Sequence, residues 1–234
     1  VSAYHFKNAG ATNVEELAFG LAYGNEYLNR LTEKGLSIDS IAPNIKFHFG
    51  VGSDYFLEIA KIRAARLLWA RIVNAYGPSD AEITRTHIHA VTADWNKTLY
   101  DPYVNMLRTT TEAMSAIIGG ANSLTVRPFN ASIETPSEFS ERIARNQQLL
   151  LKEESYFDKI VDPASGSYYI ENLTDAIVEE AWKLFLEIDE MGGFVEAFKM
   201  GFVQERIKEM DRVELIARRV DRFTQEEAGY WYSR

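Results

Sequence analysis

The 234-residue chain has no cysteine, only four histidines and six prolines, and fewer basic side chains (25) than acidic ones (34). Without cysteine it has no disulfide bond, no thiolate nucleophile and no zinc site built on Cys ligands. A net charge of -9 argues against a nucleic-acid partner or an anionic membrane surface, because both repel an acidic protein. No apolar run approaches the roughly 20 residues that span a bilayer. These features predict a cytoplasmic globular protein.

The chain begins with Val1 rather than Met, and its first residues lack the charged and apolar regions of a signal peptide. These residues have the pattern of a strand, so the chain starts within a predicted strand. We therefore expect the chain to be a processed product or an excised segment.

Strand patterns recur along the first 130 residues. The clearest is at Ile45–Val51, where apolar side chains alternate with Lys46, His48 and Gly50, the period of a strand whose two sides face different surroundings. A glycine-rich turn then leads into an amphipathic segment, which is typical of α/β proteins. The predicted strands are Val1–His5, Ile45–Val51, Ile83–Thr92 and Ser123–Phe129.

Each predicted strand is followed by a segment with helical periodicity and a recognisable start. Asn13 with Glu16, and Thr135 with Glu138, have the spacing of a capping box, and Asp101 precedes a proline at the first helical position. Glycines mark the ends of three of these segments. The predicted helices cover residues 13–34, 54–76, 101–118 and 135–154.

The pattern changes after residue 154. A loop leads to a predicted helix at Thr174–Met191, and charged helical sequence continues to about Arg222. We therefore divide the chain into a domain of four βα units (1–154) and a helical linker region (155–234). Eight such units close a TIM barrel, so four units predict half of one. A half barrel exposes two strand edges and should need the missing half or a partner.

Several polar residues are candidates for chemistry. His87 and His89 alternate on the third predicted strand, a spacing found in some zinc hydrolases, but no carboxylate is placed to complete a metal site. Buried or hydrogen-bonded histidines, or ligand contacts, are the alternative, and we expect no metal. Tyr4 and His5 lie at a predicted strand end, where barrel enzymes place catalytic groups, and a polar residue that only lines the end of the barrel is the alternative for His5. Four helical arginines are predicted to pair with neighbouring glutamates: Arg63, Arg66, Arg142 and Arg145 with Glu58, Glu141 or Glu138.

A set of short motifs resembles the methylmalonyl-CoA mutase family. Each motif is modest alone, but their common order and nearly constant spacing cover almost the whole chain. They are Tyr4-His5, Ala9-Gly10-Ala11, Ile41-Ala42-Pro43, Glu58-Ile59-Ala60-Lys61-Ile62-Arg63-Ala64, Leu68-Trp69-Ala70, Arg85-Thr86-His87, Asp101-Pro102-Tyr103, Arg142-Ile143-Ala144-Arg145-Asn146, Glu153-Glu154-Ser155, Asp162-Pro163 and Glu190-Met191-Gly192-Gly193.

The resemblance implies that the chain is the last four βα units of a TIM barrel that holds an acyl-CoA substrate, with adenosylcobalamin supplying the radical. It implies that His5 and Tyr4 match the family's active-site histidine and tyrosine. Other positions depart from the family. Asn44 stands where the family has an arginine that contacts coenzyme A phosphate. The family's substrate-contacting glutamine is replaced by His89 if His87 matches the family's histidine, or by Val91 if His89 does. The two cofactor-contacting positions are occupied by Arg127 and Ala131.

These departures predict the family's small, non-catalytic subunit, which forms a heterodimer with a catalytic large subunit. The resemblance implies that the complex interconverts methylmalonyl-CoA and succinyl-CoA and uses adenosylcobalamin, and we expect this segment alone to bind no cofactor. A divergent catalytic mutase acting on another acyl-CoA is the alternative, because Tyr4 and His5 are retained.

Overall fold

The structure, a computed structural model, describes residues 1–209. Three parallel strands form one sheet in the order β1-β2-β3, with β1 at Lys46–Val51, β2 at His87–Thr92 and β3 at Ser123–Thr125. Helices connect the strands, since a parallel pair requires a long crossover. The chain is therefore α/β, as the sequence predicts.

Most of the described chain is helical. The helices are α1 Tyr4–Asn8, α2 Asn13–Glu33, α3 Ile38–Ile41, α4 Tyr55–Ala75, α5 Val104–Ile118, α6 Glu138–Glu153, α7 Tyr168–Glu190 and α8 Phe194–Lys199. Residues 202–209 are also helical. No helix among residues 1–209 has the length and apolarity to cross a membrane.

The helices cover one face of the sheet. Phe47, Phe49 and Ile88 point into this layer and are almost completely buried. Trp69 of α4 packs edge-on against Phe47, with ring centroids 4.7 Å apart. Gly24 of α2 lies over the same rings, and a Cβ there would come within 2.9 Å of both, so only glycine permits this approach. The core therefore lies between the sheet and its helices.

The other face of the sheet is open among the described residues. Lys46 and His48 of β1 and Thr125 of β3 are exposed, and His87 and His89 are partly exposed. The alternation predicted for β1 is confirmed from Ile45 to Phe49, with the apolar side chains inside and Lys46 and His48 on the open face, whereas Gly50 is buried beneath Lys7.

The predicted strand at Val1–His5 is wrong from Tyr4 onward. Ser2 forms one isolated parallel bridge with His48, and Ala3 N donates to the His48 carbonyl at 2.9 Å. The chain then turns into α1. The described residues thus form three strands and one bridge, and four complete βα units are not seen.

Three predicted helix starts are displaced. Thr12, not Asn13, caps α2, because its Oγ1 accepts from Glu15 N at 3.2 Å while the Glu15 carboxylate accepts from Thr12 N at 2.9 Å. Ser137 caps α6 through Ser140, in place of the predicted Thr135 and Glu138. The helix predicted from Asp101 begins at Val104.

Two strands and one linker helix also differ from their predicted bounds. Residues 81–84 form a 3₁₀ turn, so the strand predicted from Ile83 starts at His87. The last strand ends at Thr125 instead of Phe129. Helix α7 begins at Tyr168, six residues before the predicted Thr174, and packs against α2 and α4. The division at residue 154 stays a prediction, and the helical sequence predicted for 210–222 lies outside the described residues.

The predicted arginine–glutamate pairs on the helices are wrong for Arg63 and Arg66. Arg63 pairs with Asp162 and, at 2.8 Å, with Glu171, which fastens the linker to α4. Arg66 donates to the Thr86 carbonyl at 2.9 Å and to Asn122 Oδ1 at 2.7 Å. Glu58, the predicted partner, is buried with lysines (below). Arg142 lies over the ring of Phe139, 5.7 Å from its centroid.

Candidate functional site

Three polar side chains meet at the carboxyl end of the sheet. Asp94 lies two residues beyond β2, Arg127 lies two residues beyond β3, and Tyr4 projects from α1. Arg127 Nε donates to Asp94 Oδ1 at 2.8 Å, and Tyr4 Oη donates to Asp94 Oδ2 at 3.1 Å. One carboxylate therefore joins two residues that the sequence singled out separately.

This cluster is half-buried, which affects how Tyr4 ionises. Burial raises the pKa of the Tyr4 phenol above its ordinary value, and the Asp94 carboxylate raises it further, while Asn8 and Arg127 act in the opposite direction. The phenol is therefore protonated at neutral pH and available as a donor. Asn8 also accepts from Asp94 N at 3.0 Å, which ties α1 to the end of β2.

His5 is the most accessible of the candidate residues at this end. It is exposed on α1, and its ring lies edge-on to the ring of Tyr4 with centroids 5.8 Å apart. An exposed imidazole beside a protonated phenol can donate to, or accept from, a ligand at the carboxyl end of the sheet.

Histidines from two strands converge on the open face. The register places His48 directly opposite His89, with ring centroids 5.1 Å apart. His89 Nδ1 lies 2.7 Å from Ser123 Oγ and His87 Nε2 lies 3.1 Å from the same oxygen, while His89 Nε2 lies 3.1 Å from Thr125 Oγ1. The two predicted histidines are thus brought together through a serine of β3.

Two of these rings, those of His48 and His89, favour the neutral form. Burial lowers the pKa of His48 and of His89 below the ordinary value, and the neighbouring histidines lower both further. Neutral imidazoles suit hydrogen bonding better than anion binding. Within residues 1–209 no group of three or more His, Asp or Glu side chains is arranged to hold a metal ion, so the zinc hydrolase alternative has no ligand set there.

Asn44 lies at the opposite end of the sheet, just before β1. Its side chain is exposed, and Nδ2 donates to the Ser40 carbonyl at 2.9 Å. It borders a cavity of about 510 Å³ that is also lined by Tyr27, Leu36 and Lys46. Ala131 lies in the turn after Arg127, where its N–H donates to the Pro128 carbonyl at 3.0 Å. Neither residue joins the cluster around Asp94.

Sequence reasoning missed Asp94 and His48. Both carried a signal: Asp94 follows β2 by two residues at the end where parallel strands present functional groups, and His48 shares the period of the exposed side of β1. What the sequence could not supply was the register that places His48 against His89.

A second cavity, of about 410 Å³, lies at the carboxyl ends of β1 and β2 and is bordered by Lys7, Asn13, Asp54 and Asn96.

The fold and this site define a parallel α/β segment with polar groups at its strand ends and along its open face. Comparison with known proteins is specific. A family model described as methylmalonyl-CoA mutase matches residues 1–225. The chain belongs to the methylmalonyl-CoA mutase family, as its motifs predict.

Similar proteins of known name support the same family membership. The chain is 53% identical over 208 residues to a methylmalonyl-CoA mutase small subunit from Porphyromonas gingivalis, covering 88% of this chain and 34% of the relative. It is 42% identical over 209 residues to the large subunit of the same organism, and 44% identical over 209 residues to a methylmalonyl-CoA mutase from Escherichia coli, covering 89% of this chain and 29% of each relative. The chain thus spans about a third of the length of these relatives.

Proposed function

We propose that this chain is the second half of the barrel of a methylmalonyl-CoA mutase small subunit, with residues 1–154 as the half barrel and 155–234 as the linker region. Its role is to pair with a catalytic large subunit and stabilise it. The identity to a small subunit, 53%, exceeds the identity to the large subunit of the same organism, 42%, which supports this choice. The heterodimer interconverts methylmalonyl-CoA and succinyl-CoA in the cytoplasm.

The open sheet supports completion by further strands. Residues 1–3 bond the first edge only at Lys46 and His48, and β3 is only three residues long. Polar side chains on the open face, including His48 and His89, resemble the lining of a barrel more than a solvent surface. In the complete protein the missing strands close this face into a barrel.

One observation carries the non-catalytic assignment. Asn44 occupies the position where the resemblance expects an arginine on coenzyme A phosphate, and its amide turns back to the Ser40 carbonyl at 2.9 Å. A neutral amide in this role cannot replace a guanidinium that binds a phosphate with two hydrogen bonds. Acyl-CoA is therefore held by the large subunit.

The residues at the cofactor positions do not fit adenosylcobalamin. The Nε of Arg127 is bound to Asp94 at 2.8 Å, and Ala131 offers no polar side-chain atom. These two positions therefore lack the side-chain contacts that the resemblance expects, which supports placing the cofactor on the large subunit.

The heterodimer is tested by mixing the full-length protein with the large subunit and measuring the mass by size-exclusion chromatography with light scattering. We expect a one-to-one complex. A chain that stays apart from the large subunit, or that forms a stable homodimer in its presence, contradicts the assignment.

A divergent catalytic mutase acting on another acyl-CoA is the second candidate. It is favoured by the exposed His5 ring beside the protonated Tyr4, an arrangement able to donate to a thioester carbonyl. This candidate predicts turnover by the full-length protein alone with adenosylcobalamin and some acyl-CoA, which the small-subunit assignment excludes.

A further inference from the structure

A cluster of four charges is buried where β1 ends. Lys61 Nζ lies 2.6 Å from Glu16 Oε2 and 2.5 Å from Glu58 Oε2, and all three side chains are completely buried. Lys7 Nζ joins the cluster at 3.3 Å from Glu58 Oε1, with its side chain only 9% exposed. Two ammonium groups thus balance two carboxylates, and only the Lys7 side chain has any exposed surface.

This cluster takes the place of a strand. The first edge of β1 is paired at His48 by Val1 O and Ala3 N. At the next position along that edge, Gly50 N donates to Glu16 Oε1 at 2.5 Å and the Gly50 carbonyl accepts from Lys61 at 2.6 Å. Buried backbone groups must be paired, and here side chains pair them. The main chain is thereby released to form α1.

Lys7 connects α1 to this cluster. Its stem crosses the backbone of Gly50 so closely that a Cβ there would lie 2.7 Å from both Cβ and Cγ of Lys7. Its ammonium also donates to Asn13 Oδ1 at 2.6 Å. One side chain therefore contacts β1, the start of α2 and, through Glu58, α4.

Helix α1 needs such an anchor. Five residues are too few to hold a helix by its own hydrogen bonds. Phe6 packs edge-on against Phe19, with centroids 5.5 Å apart, but it faces the helical layer. Lys7 is the α1 side chain that enters the buried charge cluster, so it sets the position of the helix against the strand end.

We infer that Lys7 is a positioning residue that fixes α1, and with it Tyr4 and His5, against the carboxyl end of β1. The residue acts through the Glu58–Lys61–Glu16 cluster and touches neither Asp94 nor Arg127 in any hydrogen bond or ion pair among the described residues. The positioning of α1 by Lys7 does not depend on the proposed function, and only the roles of Tyr4 and His5 toward a ligand rest on it.

The test uses the full-length protein with 3-fluorotyrosine at position 4 and no large subunit, acyl-CoA or cofactor, so its outcome is independent of the proposed function. In Lys7→Met we expect the fluorine resonance to shift or broaden. We also expect the amides of α1 to exchange with deuterium about tenfold faster than in the unmodified chain. Gly50→Ala should act in the same way, because its methyl displaces the Lys7 stem.

Two control variants separate positioning from general destabilisation. Arg66→Met removes a partly buried cation at the other end of the sheet, and Gly24→Ala crowds Phe47 and Trp69 instead of Lys7. Both should leave the Tyr4 resonance in place. If Lys7→Met does not fold, the milder Asn13→Ala decides, with an expected increase in α1 exchange of about threefold. An unchanged resonance and exchange rate in the Lys7 or Asn13 variant, or equal changes in the controls, overturns the inference.

Discussion

Asp94 and Arg127 follow adjacent parallel strands and are joined by a hydrogen-bonded ion pair of 2.8 Å. The same carboxylate accepts from Tyr4 at 3.1 Å, so it links α1, β2 and β3. The position that resemblance assigns to cofactor binding is thus used for an internal contact, which is the basis of the first prediction.

Asp94→Asn should release Arg127 and weaken the contact to Tyr4. We expect a loss of about 1 kcal/mol in the free energy of unfolding, because the pair is only partly buried. The pKa of Tyr4 should fall, since Asp94 contributes to its elevation. Urea unfolding and fluorine titration of 3-fluorotyrosine at position 4 measure the two effects. An unchanged pKa would show that Asp94 does not control this phenol.

Lys61→Met should destabilise the fold strongly. It leaves Glu16 and Glu58 buried with Lys7 as the only remaining cation of the cluster, and breaking a buried pair costs about 3–5 kcal/mol. Lys183→Met is the matched control, because this lysine is 60% exposed beside Glu179 and Glu180, and its removal should leave the urea midpoint nearly unchanged. Equal urea midpoints for the two variants would contradict the structural role of the cluster.

The pH dependence of stability should contain a contribution from Glu112. Burial raises the pKa of this carboxyl to about 7 despite its contacts with Lys97 and Asn96. The folded chain therefore binds this proton more tightly than the unfolded chain, whose ordinary value is 4.5. The associated stability is fully present below about pH 4.5 and is lost as the pH rises to about 7.

Glu112→Gln should remove that contribution. Between pH 5 and pH 7.5, the fall in unfolding free energy should be smaller in the variant than in the unmodified chain by a few kcal/mol at most. The difference between two urea titrations at each pH isolates this group from other carboxyls. Parallel pH profiles for the two proteins would show that Glu112 is not the group responsible.

The sequence predicted the elements whose pattern is decided locally. Strand β1 and helix α4 follow from their apolar periods and their flanking glycines, and both are confirmed. The strand expected at Val1–His5 failed because Glu16 and Lys61, distant in sequence, pair the backbone of Gly50 that a longer strand would have used. The strand propensity of residues 1–5 carries no information about distant side chains that bond a strand edge in place of a neighbouring strand.

The candidate site was predicted residue by residue but not as an arrangement. Tyr4, Arg127 and the two histidines of β2 were all identified. Their partners, Asp94 and Ser123, depend on which strands are neighbours and in which register. Asn44 was identified through the charge that it lacks, and the structure adds that its amide is bonded to Ser40.

The proposed function predicts that substitution of Asn44 restores a contact to coenzyme A. Asn44→Arg in the full-length protein should place a guanidinium at the start of β1 and raise the affinity for free coenzyme A by about tenfold, as a charge-assisted contact to phosphate would. Asn44→Gln keeps the amide and is the control. Calorimetric titration gives the dissociation constants, and equal affinities in the two variants would indicate that this position does not face the nucleotide.

Mutase turnover of the full-length protein with methylmalonyl-CoA and adenosylcobalamin, measured alone and with the large subunit, decides whether the protein is a non-catalytic subunit. We expect no succinyl-CoA from the protein alone. With the large subunit we expect a one-to-one mixture to be active and to lose activity on heating more slowly than the large subunit by itself. Succinyl-CoA formed by the full-length protein alone, at a rate comparable to that of the mixture, would contradict the non-catalytic assignment and identify the chain as part of a catalytic subunit.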